Sequence, residues 1–234
     1  MLICGLNKTT LLDYPGHVAA TIFTGGCNFR CPFCHNGDLV LHPEEITAYE
    51  EGEIFSFLKK RQRVLEGVCI TGGEPTLQPD LLPFLRSIKE LGYRVKLDTN
   101  GYRPEVLRAV LEEGLADYVA MDIKAAPDNY PAATGMGNSL RMDRIYKSVE
   151  LLKGVKIPYE FRTTVVKGIH SVPEFHAIGE WLAGCGAYFI QSYANSDAIL
   201  DPDAGYAAFS VEELIQMAEI ARKYIHKVTL RGVE

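Results

Sequence analysis

Short apolar runs alternate with longer amphipathic segments along most of this 234-residue chain. The runs are rich in β-branched and aromatic residues and are bounded by Gly, Pro, Asn and Asp, a pattern typical of buried strands. The segments between them repeat apolar residues every three or four positions, which indicates amphipathic helices. Six core strands are predicted in this way, at residues 18–23, 68–70, 94–98, 118–123, 157–166 and 188–193.

Several predicted helices carry capping signals at their ends. Asp80 precedes a segment in which leucine and isoleucine recur every three positions, and Gly92 follows it as a terminator. Ser210 and Glu213 have the spacing of a capping box at the start of the last helix. Helices are predicted near residues 49–61, 80–91, 104–113, 141–153, 172–182 and 210–224, and one more strand is predicted at 227–230.

The alternation of strands and helices predicts an α/β fold. Strands separated by helices of about a dozen residues connect in parallel through right-handed crossovers. A complete eight-stranded barrel commonly takes about 250 residues, so six units in 234 residues favour a partial (β/α)6 barrel of parallel strands. We expect one domain over residues 1–234, with a short N-terminal extension (1–17), six β-α core units (18–193) and a C-terminal loop, helix and strand (194–234).

Composition argues against two classes of partner. The chain has 24 Lys and Arg residues against 30 Asp and Glu residues, a net charge of -6, and no basic cluster of the size that nucleic acid binding needs. No apolar run approaches the roughly 18 residues of a membrane-spanning helix, and the N-terminus lacks a basic region followed by an apolar core. We therefore expect a cytoplasmic protein with reduced thiols that binds neither nucleic acid nor membrane.

Three cysteines are concentrated in one loop. Cys27, Cys31 and Cys34 have the spacing C-x3-C-x2-C within the segment TGGCNFRCPFCHNG, whose glycines and proline let the backbone bend. Thiolates this close together can converge on one soft metal centre, and the spacing suits an iron-sulfur cluster. A four-iron cluster needs four ligands, but the other three cysteines are scattered singly along the chain. We therefore predict a 4Fe-4S cluster with one iron open to a substrate.

Other uses of these cysteines remain open from the residues alone. A structural zinc site could recruit His35 as a fourth ligand, although such sites usually pair two short clips of ligands. A zinc-stabilised binding module without catalytic activity is therefore the alternative from another functional class. Disulfides would suit a secreted chain, and nothing in the sequence indicates one.

At these residues the sequence resembles the radical S-adenosylmethionine (radical SAM) superfamily, whose hallmark is this cysteine spacing with an aromatic residue, here Phe33, before the last cysteine. The segment LNKTTLLDYPGH at residues 6–17, followed by TIFTGGCNFRCPFCHN, is similar to the glycyl-radical-enzyme activases. It is most similar to the anaerobic ribonucleoside-triphosphate reductase activating proteins. The superfamily resemblance covers nearly the whole chain and implies a partial barrel of the radical SAM type, whereas the narrower resemblance depends mainly on residues 5–37.

A glycine-rich segment follows the second predicted strand, at the edge where parallel α/β folds bind their ligands. It contains Gly72, Gly73 and Glu74. Its backbone can approach a ligand closely and present carbonyl oxygens to an ammonium group, although a glycine turn before a helix has the same pattern. The resemblance implies that this segment binds the amino group of S-adenosylmethionine.

Polar residues also follow the next two strands. Asp98 and Asn100 come after the third strand, and Asp122 and Lys124 come after the fourth. A solvent-facing turn would use the same residue types as the Asp98 segment. The resemblance implies instead that these four residues lie at the cofactor and that Lys124 faces its carboxylate. It further implies a monovalent cation shared by Asp98 and Asp122.

The last two core strands contribute further candidates. Arg162 matches a residue that touches the cofactor or the peptide substrate in the activases, and an arginine paired with a carboxylate at the core edge is the alternative. The activases of pyruvate formate-lyase have a histidine near the cofactor ribose after the sixth strand, and this chain does not. Gln191 or Asn195 is the expected substitute, and His35 is expected to donate a hydrogen bond beside the cluster rather than bind metal.

The resemblance implies a radical mechanism. One electron from the reduced cluster cleaves S-adenosylmethionine, whose adenine stacks near Phe33, into methionine and a 5′-deoxyadenosyl radical that removes hydrogen from a glycine of a partner enzyme. The implied partner is an anaerobic ribonucleoside-triphosphate reductase. Another glycyl radical enzyme, a different peptide and a small molecule are alternative substrates. Because the chain has no second cysteine cluster, reduced flavodoxin or ferredoxin is the expected electron donor.

Overall fold

The computed structural model describes residues 1–194 and 199–233, which contain eight strands, and from the second strand onward a helix separates each strand from the next. The predicted α/β class is therefore confirmed. The six predicted core strands correspond to the second to seventh strands of the structure, and the strand predicted at 227–230 corresponds to the eighth. None of the helices in the described ranges has the length and apolar composition that crossing a bilayer requires.

The described chain divides into two compact units. The first contains Met1–Asn28 and Asp38–Ala120. The second contains Phe29–Gly37 and the chain from Met121 onward. The expectation of one domain over residues 1–234 stays a prediction.

In the first unit, a parallel group of strands is extended by one antiparallel strand. β1 (Ile3–Thr10) pairs antiparallel with β2 (Ala19–Thr24). β2, β3 (Gly67–Gly72) and β4 (Arg94–Thr99) pair in parallel in chain order. Since parallel strands end at the same edge of a sheet, the loops after β2, β3 and β4 lie together. The helices in this part of the chain are α1 (Gly37–Leu41), α2 (Glu51–Arg61), α3 (Leu81–Glu90) and α4 (Pro104–Glu112).

In the second unit, three parallel strands pair in chain order. β5 (Tyr118–Asp122) contains the point at which the chain passes from the first unit to the second. β6 (Tyr159–Val165), β7 (Tyr188–Ser192) and β8 (Val228–Arg231) then pair in parallel. The helices of this unit are α5 (Tyr130–Ala133), α6 (Met142–Lys153), α7 (Phe175–Leu182) and α8 (Val211–Ala221).

The capping box predicted for the last helix is confirmed. For α3, the predicted N-cap residue is in the predicted position but does not make the capping hydrogen bond. At α8, the Ser210 hydroxyl accepts a hydrogen bond from the Glu213 N–H at 3.2 Å, and the Glu213 carboxylate accepts one from the Ser210 N–H at 2.7 Å. Asp80 lies at the N-cap of α3, but its side chain makes no capping hydrogen bond. Its carboxylate lies 3.6 Å from the N-terminal amine of Met1, which offers an ionic partner.

The N-terminal segment differs from the prediction. Residues 1–17 were expected to form only a lead-in to the first core strand, but they contain the eight-residue strand β1. Ile3 and Cys4 are buried, whereas Asn7 to Thr9 are exposed. The apolar run is too short to indicate a strand by itself, and pairing with β2 stabilises the extended conformation.

Candidate active site

The loops after β2 and β3 meet through direct backbone contacts. The N–H of Gly73 donates to the carbonyl of Thr24, and the N–H of Glu74 donates to the carbonyl of Gly26, both at 2.8 Å. A Cβ at Gly73 would lie 2.0 Å from the Gly26 oxygen, and a Cβ at Gly72 would lie 2.3 Å from the Thr24 nitrogen. Gly72 also has a φ of +117°. Both glycines are therefore required for the glycine-rich segment to lie against the loop that leads to the first cysteine.

Glu74 connects the loop after β3 to the loop after β4. Its side chain is 1% exposed. Its carboxylate accepts hydrogen bonds from the Thr76 N–H at 3.0 Å, the Thr99 hydroxyl at 2.8 Å and the Asn100 N–H at 2.6 Å, and also from the Thr76 hydroxyl. Burial raises the pKa of Glu74, and these hydrogen bonds oppose the rise. The carboxylate faces the protein, so any contact of this predicted cofactor-binding residue with a ligand would have to come from its backbone.

Asn100 lies beside the first cysteine. Its Nδ2 atom donates to the Asn28 Oδ1 atom at 2.9 Å and lies 3.8 Å from the Cys27 sulfur. The Asn28 Nδ2 atom is buried and has no hydrogen-bond partner among the described residues. A buried N–H group without an acceptor is costly, and it lies next to the predicted cluster ligand Cys27.

Asp98 pairs with a buried lysine that the sequence did not indicate. Lys96 is 2% exposed and Asp98 is 8% exposed. The Lys96 ammonium donates a hydrogen bond to the Asp98 carboxylate and lies 3.8 Å from the Cys69 sulfur. The two residues are two positions apart on β4, so their side chains point to the same face of the strand.

In the second unit, the predicted site residues not yet described line a pocket of about 280 Å³. Its lining combines two thiols with cationic, carboxylate and amide side chains. The predicted residues that line it are Cys31, Phe33, Cys34, Asp122, Lys124, Arg162 and Gln191, and the other lining residues are His35, Asn36, Ile123 and Thr164.

Two cationic side chains bind one carboxylate at this pocket. Lys124 donates to Asp122 at 2.8 Å, and Arg162 donates to the other oxygen of the same carboxylate. Burial would raise the pKa of Asp122, but Arg162 and Lys124 outweigh it and hold that pKa well below its ordinary value. Burial would likewise lower the pKa of Lys124, but Asp122 and Cys31 raise it. The trio therefore carries a net positive charge that suits an anionic ligand group.

Cys31 and Phe33 are the buried members of the cysteine loop at this pocket. Cys31 is 6% exposed, and burial raises the pKa of its thiol to about 11 although the Lys124 ammonium lowers it. A soft metal binds thiolates and releases their protons, so a buried thiol at a pocket wall becomes an effective ligand only with the metal present. Phe33 is buried with its ring edge-to-face against His170, at a centroid distance of 5.8 Å, and against Tyr206, at 6.4 Å.

His170 is a site residue that sequence reasoning missed. It is 6% exposed and contacts the Phe33 ring. Its Nε2 atom lies 2.8 Å from the Lys124 carbonyl oxygen, and its Nδ1 atom accepts from the Val166 N–H at 3.1 Å. It therefore anchors the backbone of the lysine at the pocket. No spacing to the other site residues could have indicated this, because the contact to Lys124 joins residues 46 positions apart.

His35 and Gln191 lie where the cysteine loop meets the segment after β7. The His35 Nε2 atom lies 2.7 Å from the Ala194 carbonyl, so the ring donates to the backbone of that segment. The Gln191 side chain lies at the pocket, and its Nε2 atom is 3.5 Å from the Thr164 hydroxyl. Asn195, the other candidate for the ribose side, lies outside the described residues.

The donor set fits an iron-sulfur cluster with an amino acid cofactor. In the second unit, Cys31 and Cys34 lie at a pocket with surplus positive charge. In the first unit, the residue after Cys27 has a buried side-chain N–H with no partner among the described residues. Sulfur donors of this kind are typical ligands of soft metals. The residues suit the predicted monovalent cation less well, because Asp98 already binds one cationic side chain and Asp122 already binds two.

Comparisons with known proteins agree with this chemistry. The family model described as "Radical SAM superfamily" matches residues 21–174. A Methanocaldococcus jannaschii protein named as a glycyl-radical enzyme activating enzyme is 33% identical over 99% of this chain and 96% of its own length. The pyruvate formate-lyase-activating enzyme of Clostridium pasteurianum is 36% identical over 66% of this chain and 65% of its own length. The solved structure of a radical SAM methyltransferase from Sphaerobacter thermophilus has a TM-score of 0.73 at 17% identity, over 93% of this chain and 67% of that one.

Proposed function

Because the chain belongs to the radical SAM superfamily and, within it, to the glycyl-radical enzyme activating enzymes, we propose that it installs a glycyl radical on an anaerobic ribonucleoside-triphosphate reductase. The superfamily, its fold and the activase group inferred from the sequence are confirmed. Family membership implies a 4Fe-4S cluster and S-adenosylmethionine as cofactors. The choice of reductase is supported by the resemblance of residues 5–37 to the reductase activases and by the absence of the histidine expected in the pyruvate formate-lyase branch.

The observation that carries the proposal is the pocket that joins Cys31 and Cys34 to the positively charged trio of Asp122, Lys124 and Arg162. Thiolates to hold a cluster and a cationic group to hold a carboxylate are the two features that binding of S-adenosylmethionine at an iron-sulfur cluster needs. A structural zinc site, which is closed by four protein ligands, does not require a cationic group that binds a carboxylate.

Each predicted residue has a role in this proposal. Cys27, Cys31 and Cys34 would hold the cluster, which would supply the electron for cleaving S-adenosylmethionine to methionine and the 5′-deoxyadenosyl radical that acts on the glycine of the partner. Lys124 and Arg162 bind the cofactor carboxylate. Further cofactor contacts are assigned to the backbone of Gly72, Gly73 and Glu74 for the amino group, to Phe33 for the adenine, to Gln191 for the ribose side, and to Asp98, Asn100 and Asp122.

The remaining assignments concern the surroundings of the enzyme. We propose a separate electron donor, reduced flavodoxin or ferredoxin, since the cysteines outside the loop are dispersed at positions 4, 69 and 185. A cytoplasmic location would keep these thiols reduced. We also propose that residues 1–234 act as one radical SAM domain.

The test begins with anaerobic reconstitution of the full chain. We expect a brown protein with about four iron and four sulfide ions, which forms 5′-deoxyadenosine from S-adenosylmethionine when dithionite is added. Cys31→Ala should abolish both cluster and cleavage. Cys185→Ala is the matched control, because Cys185 is also 6% exposed and burial also raises its thiol pKa to about 11. A colourless protein that binds one zinc ion would contradict the proposal and support the binding module.

The partner is tested separately by electron paramagnetic resonance. The reduced, loaded protein is mixed with an anaerobic ribonucleoside-triphosphate reductase or with pyruvate formate-lyase. We expect the glycyl radical doublet only with the reductase. A signal only with pyruvate formate-lyase would contradict the choice of partner and leave the activase function intact.

A further inference from the structure

We propose that the Lys96 ammonium supplies at Asp98 the positive charge that a bound monovalent cation would otherwise supply, so that this carboxylate binds no dissociable Na⁺ or K⁺. The inference departs from the cation that the family resemblance implied for this carboxylate. It rests on the proposed function only in so far as Asp98 is assigned to the cofactor side of the site.

The geometry of β4 places the lysine and the aspartate together. The residues are two positions apart on the strand, so both side chains leave the same face. Their side chains are 3% and 11% exposed, and the Lys96 ammonium donates directly to the Asp98 carboxylate. Both residues lie in the first unit, and the arrangement follows from a single strand.

Because the Lys96–Asp98 ion pair is buried, an ion from solution cannot easily replace the Lys96 ammonium at the carboxylate. An unpaired ammonium or carboxylate at this depth would carry a large desolvation cost, which the pairing offsets. A second cation at the same carboxylate would be repelled by the ammonium at short range, where the local dielectric weakens screening. A tethered ammonium also cannot be lost by dilution, whereas an ion's occupancy depends on its concentration.

The other carboxylate predicted to bind the cation is also paired with cationic side chains. In the second unit, Asp122 binds both Lys124 and Arg162. Cationic side chains therefore occupy each of the two carboxylates, and the two observations come from different strands and different units. Because side chains of the protein already neutralise both carboxylates, neither carboxylate requires a bound ion to balance its charge.

Thermal unfolding of the full-length reconstituted protein tests the proposal without cofactor cleavage. The midpoint is measured in NaCl, KCl and choline chloride at equal ionic strength. We expect the same midpoint for the wild type in all three salts. Lys96→Gln should unfold at a lower temperature in choline chloride and regain roughly 2–4 °C in Na⁺ or K⁺, as a bound ion stabilises the folded state. Lys96→Arg, which keeps the charge, should stay indifferent to the cation.

The matched control is Lys89→Gln. Lys89 forms an ion pair with Asp117 at 2.7 Å, but the two side chains are 30% and 28% exposed, so water can replace the lost partner. Its midpoint should not depend on which cation is present.

Two results would overturn the proposal. One is a wild-type protein that Na⁺ or K⁺ stabilises and whose response disappears in Asp98→Asn. The other is a folded Lys96→Gln variant with no cation response. If Lys96→Gln does not fold, ²³Na NMR titration of the wild type and Asp98→Asn decides, since specific binding that requires Asp98 would contradict the proposal and its absence would support it. Failure of the proposed function would appear instead as absent cofactor cleavage, which these measurements do not involve.

Discussion

His170 donates a hydrogen bond from its Nε2 atom to the main-chain carbonyl oxygen of Lys124, 2.8 Å away. Its Nδ1 atom accepts a hydrogen bond from the main-chain N–H of Val166 at 3.1 Å. This pattern selects the neutral tautomer with its proton on Nε2. The imidazole therefore joins the end of β6 to the loop after β5, and it fixes the backbone from which the Lys124 side chain reaches the pocket.

Replacing this histidine should reduce both stability and cofactor affinity. His170→Leu leaves the Val166 N–H and the Lys124 carbonyl buried without their partner, at about 1–3 kcal/mol for each unsatisfied group. We expect the free energy of unfolding to fall by about 2–6 kcal/mol, measured by urea denaturation, and the KM for S-adenosylmethionine to rise. His176→Leu is the control, because His176 is exposed and bonds only to the Tyr224 hydroxyl among the contacts of its ring nitrogens in the described residues. Equal losses in the two variants would contradict the positioning role.

The same histidine should contribute a pH dependence to stability. Burial lowers the pKa of His170, outweighing the Lys124 carbonyl and the Glu174 carboxylate, which raise it. The unfolded chain takes up a proton near its ordinary pKa of about 6.5, whereas the folded chain does so only at lower pH. Stability is therefore lost as the pH falls below about 6.5, by up to about 1.4 kcal/mol per pH unit. Denaturation at a series of pH values should show this loss in the wild type but not in His170→Leu, and an unchanged profile in the variant would refute the assignment.

The sequence predicted the elements and the local motifs better than the buried charges. The helices and core strands follow from periodicity, and the spacing of the three cysteines is a local signal. Lys96 was missed because Val95, Lys96, Leu97 and Asp98 alternate like a strand with one solvent-facing side, whereas residues 95–99 of β4 are all buried. Only the fold shows that both faces are covered. His170 was missed for a related reason, since its role depends on contacts far away along the chain.

Glu74 should contribute to stability even without cofactor. The sequence assigned it to the cofactor, but its buried carboxylate accepts four hydrogen bonds from Thr76, Thr99 and Asn100. In Glu74→Gln, the amide NH₂ would face donors instead of accepting from them, and hydrogen bonds to a charged acceptor would be lost. We expect the free energy of unfolding of the cofactor-free protein to fall by about 2 kcal/mol.

The exposed Glu90, near the end of α3, provides the control variant Glu90→Gln, whose stability should match that of the wild type. A residue that served only the cofactor would leave the stability of the cofactor-free protein unchanged. An unaltered unfolding curve for Glu74→Gln would therefore contradict the role in joining the two loops.

Gly73 should tolerate no side chain. A Cβ there would lie 2.0 Å from the Gly26 carbonyl oxygen, and backbone atoms cannot move aside as a flexible side chain can. Gly73→Ala should therefore push the glycine-rich segment away from the loop that carries Cys27, lowering stability by about 3 kcal/mol and reducing iron content after reconstitution. Gly52→Ala is the control, since Gly52 lies in α2 with nothing within 4 Å of the added Cβ. If Gly73→Ala binds as much iron as the control does, the close contact between Gly73 and Gly26 is not needed for cluster binding.

Lys124 should matter for cofactor binding more than for folding. Lys124→Met removes one of the two cations at Asp122 and leaves Arg162 in place, so the carboxylate stays paired while the pocket loses its surplus positive charge. We expect the affinity for S-adenosylmethionine to fall roughly tenfold, which corresponds to about 1.4 kcal/mol, measured by titration of the reconstituted protein. Lys153→Met is matched in burial, at 19% side-chain exposure against 21% for Lys124, and Lys153 does not line the pocket. If both variants bind the cofactor as the wild type does, the surplus charge is not what holds the carboxylate, and the contact must come from elsewhere in the site.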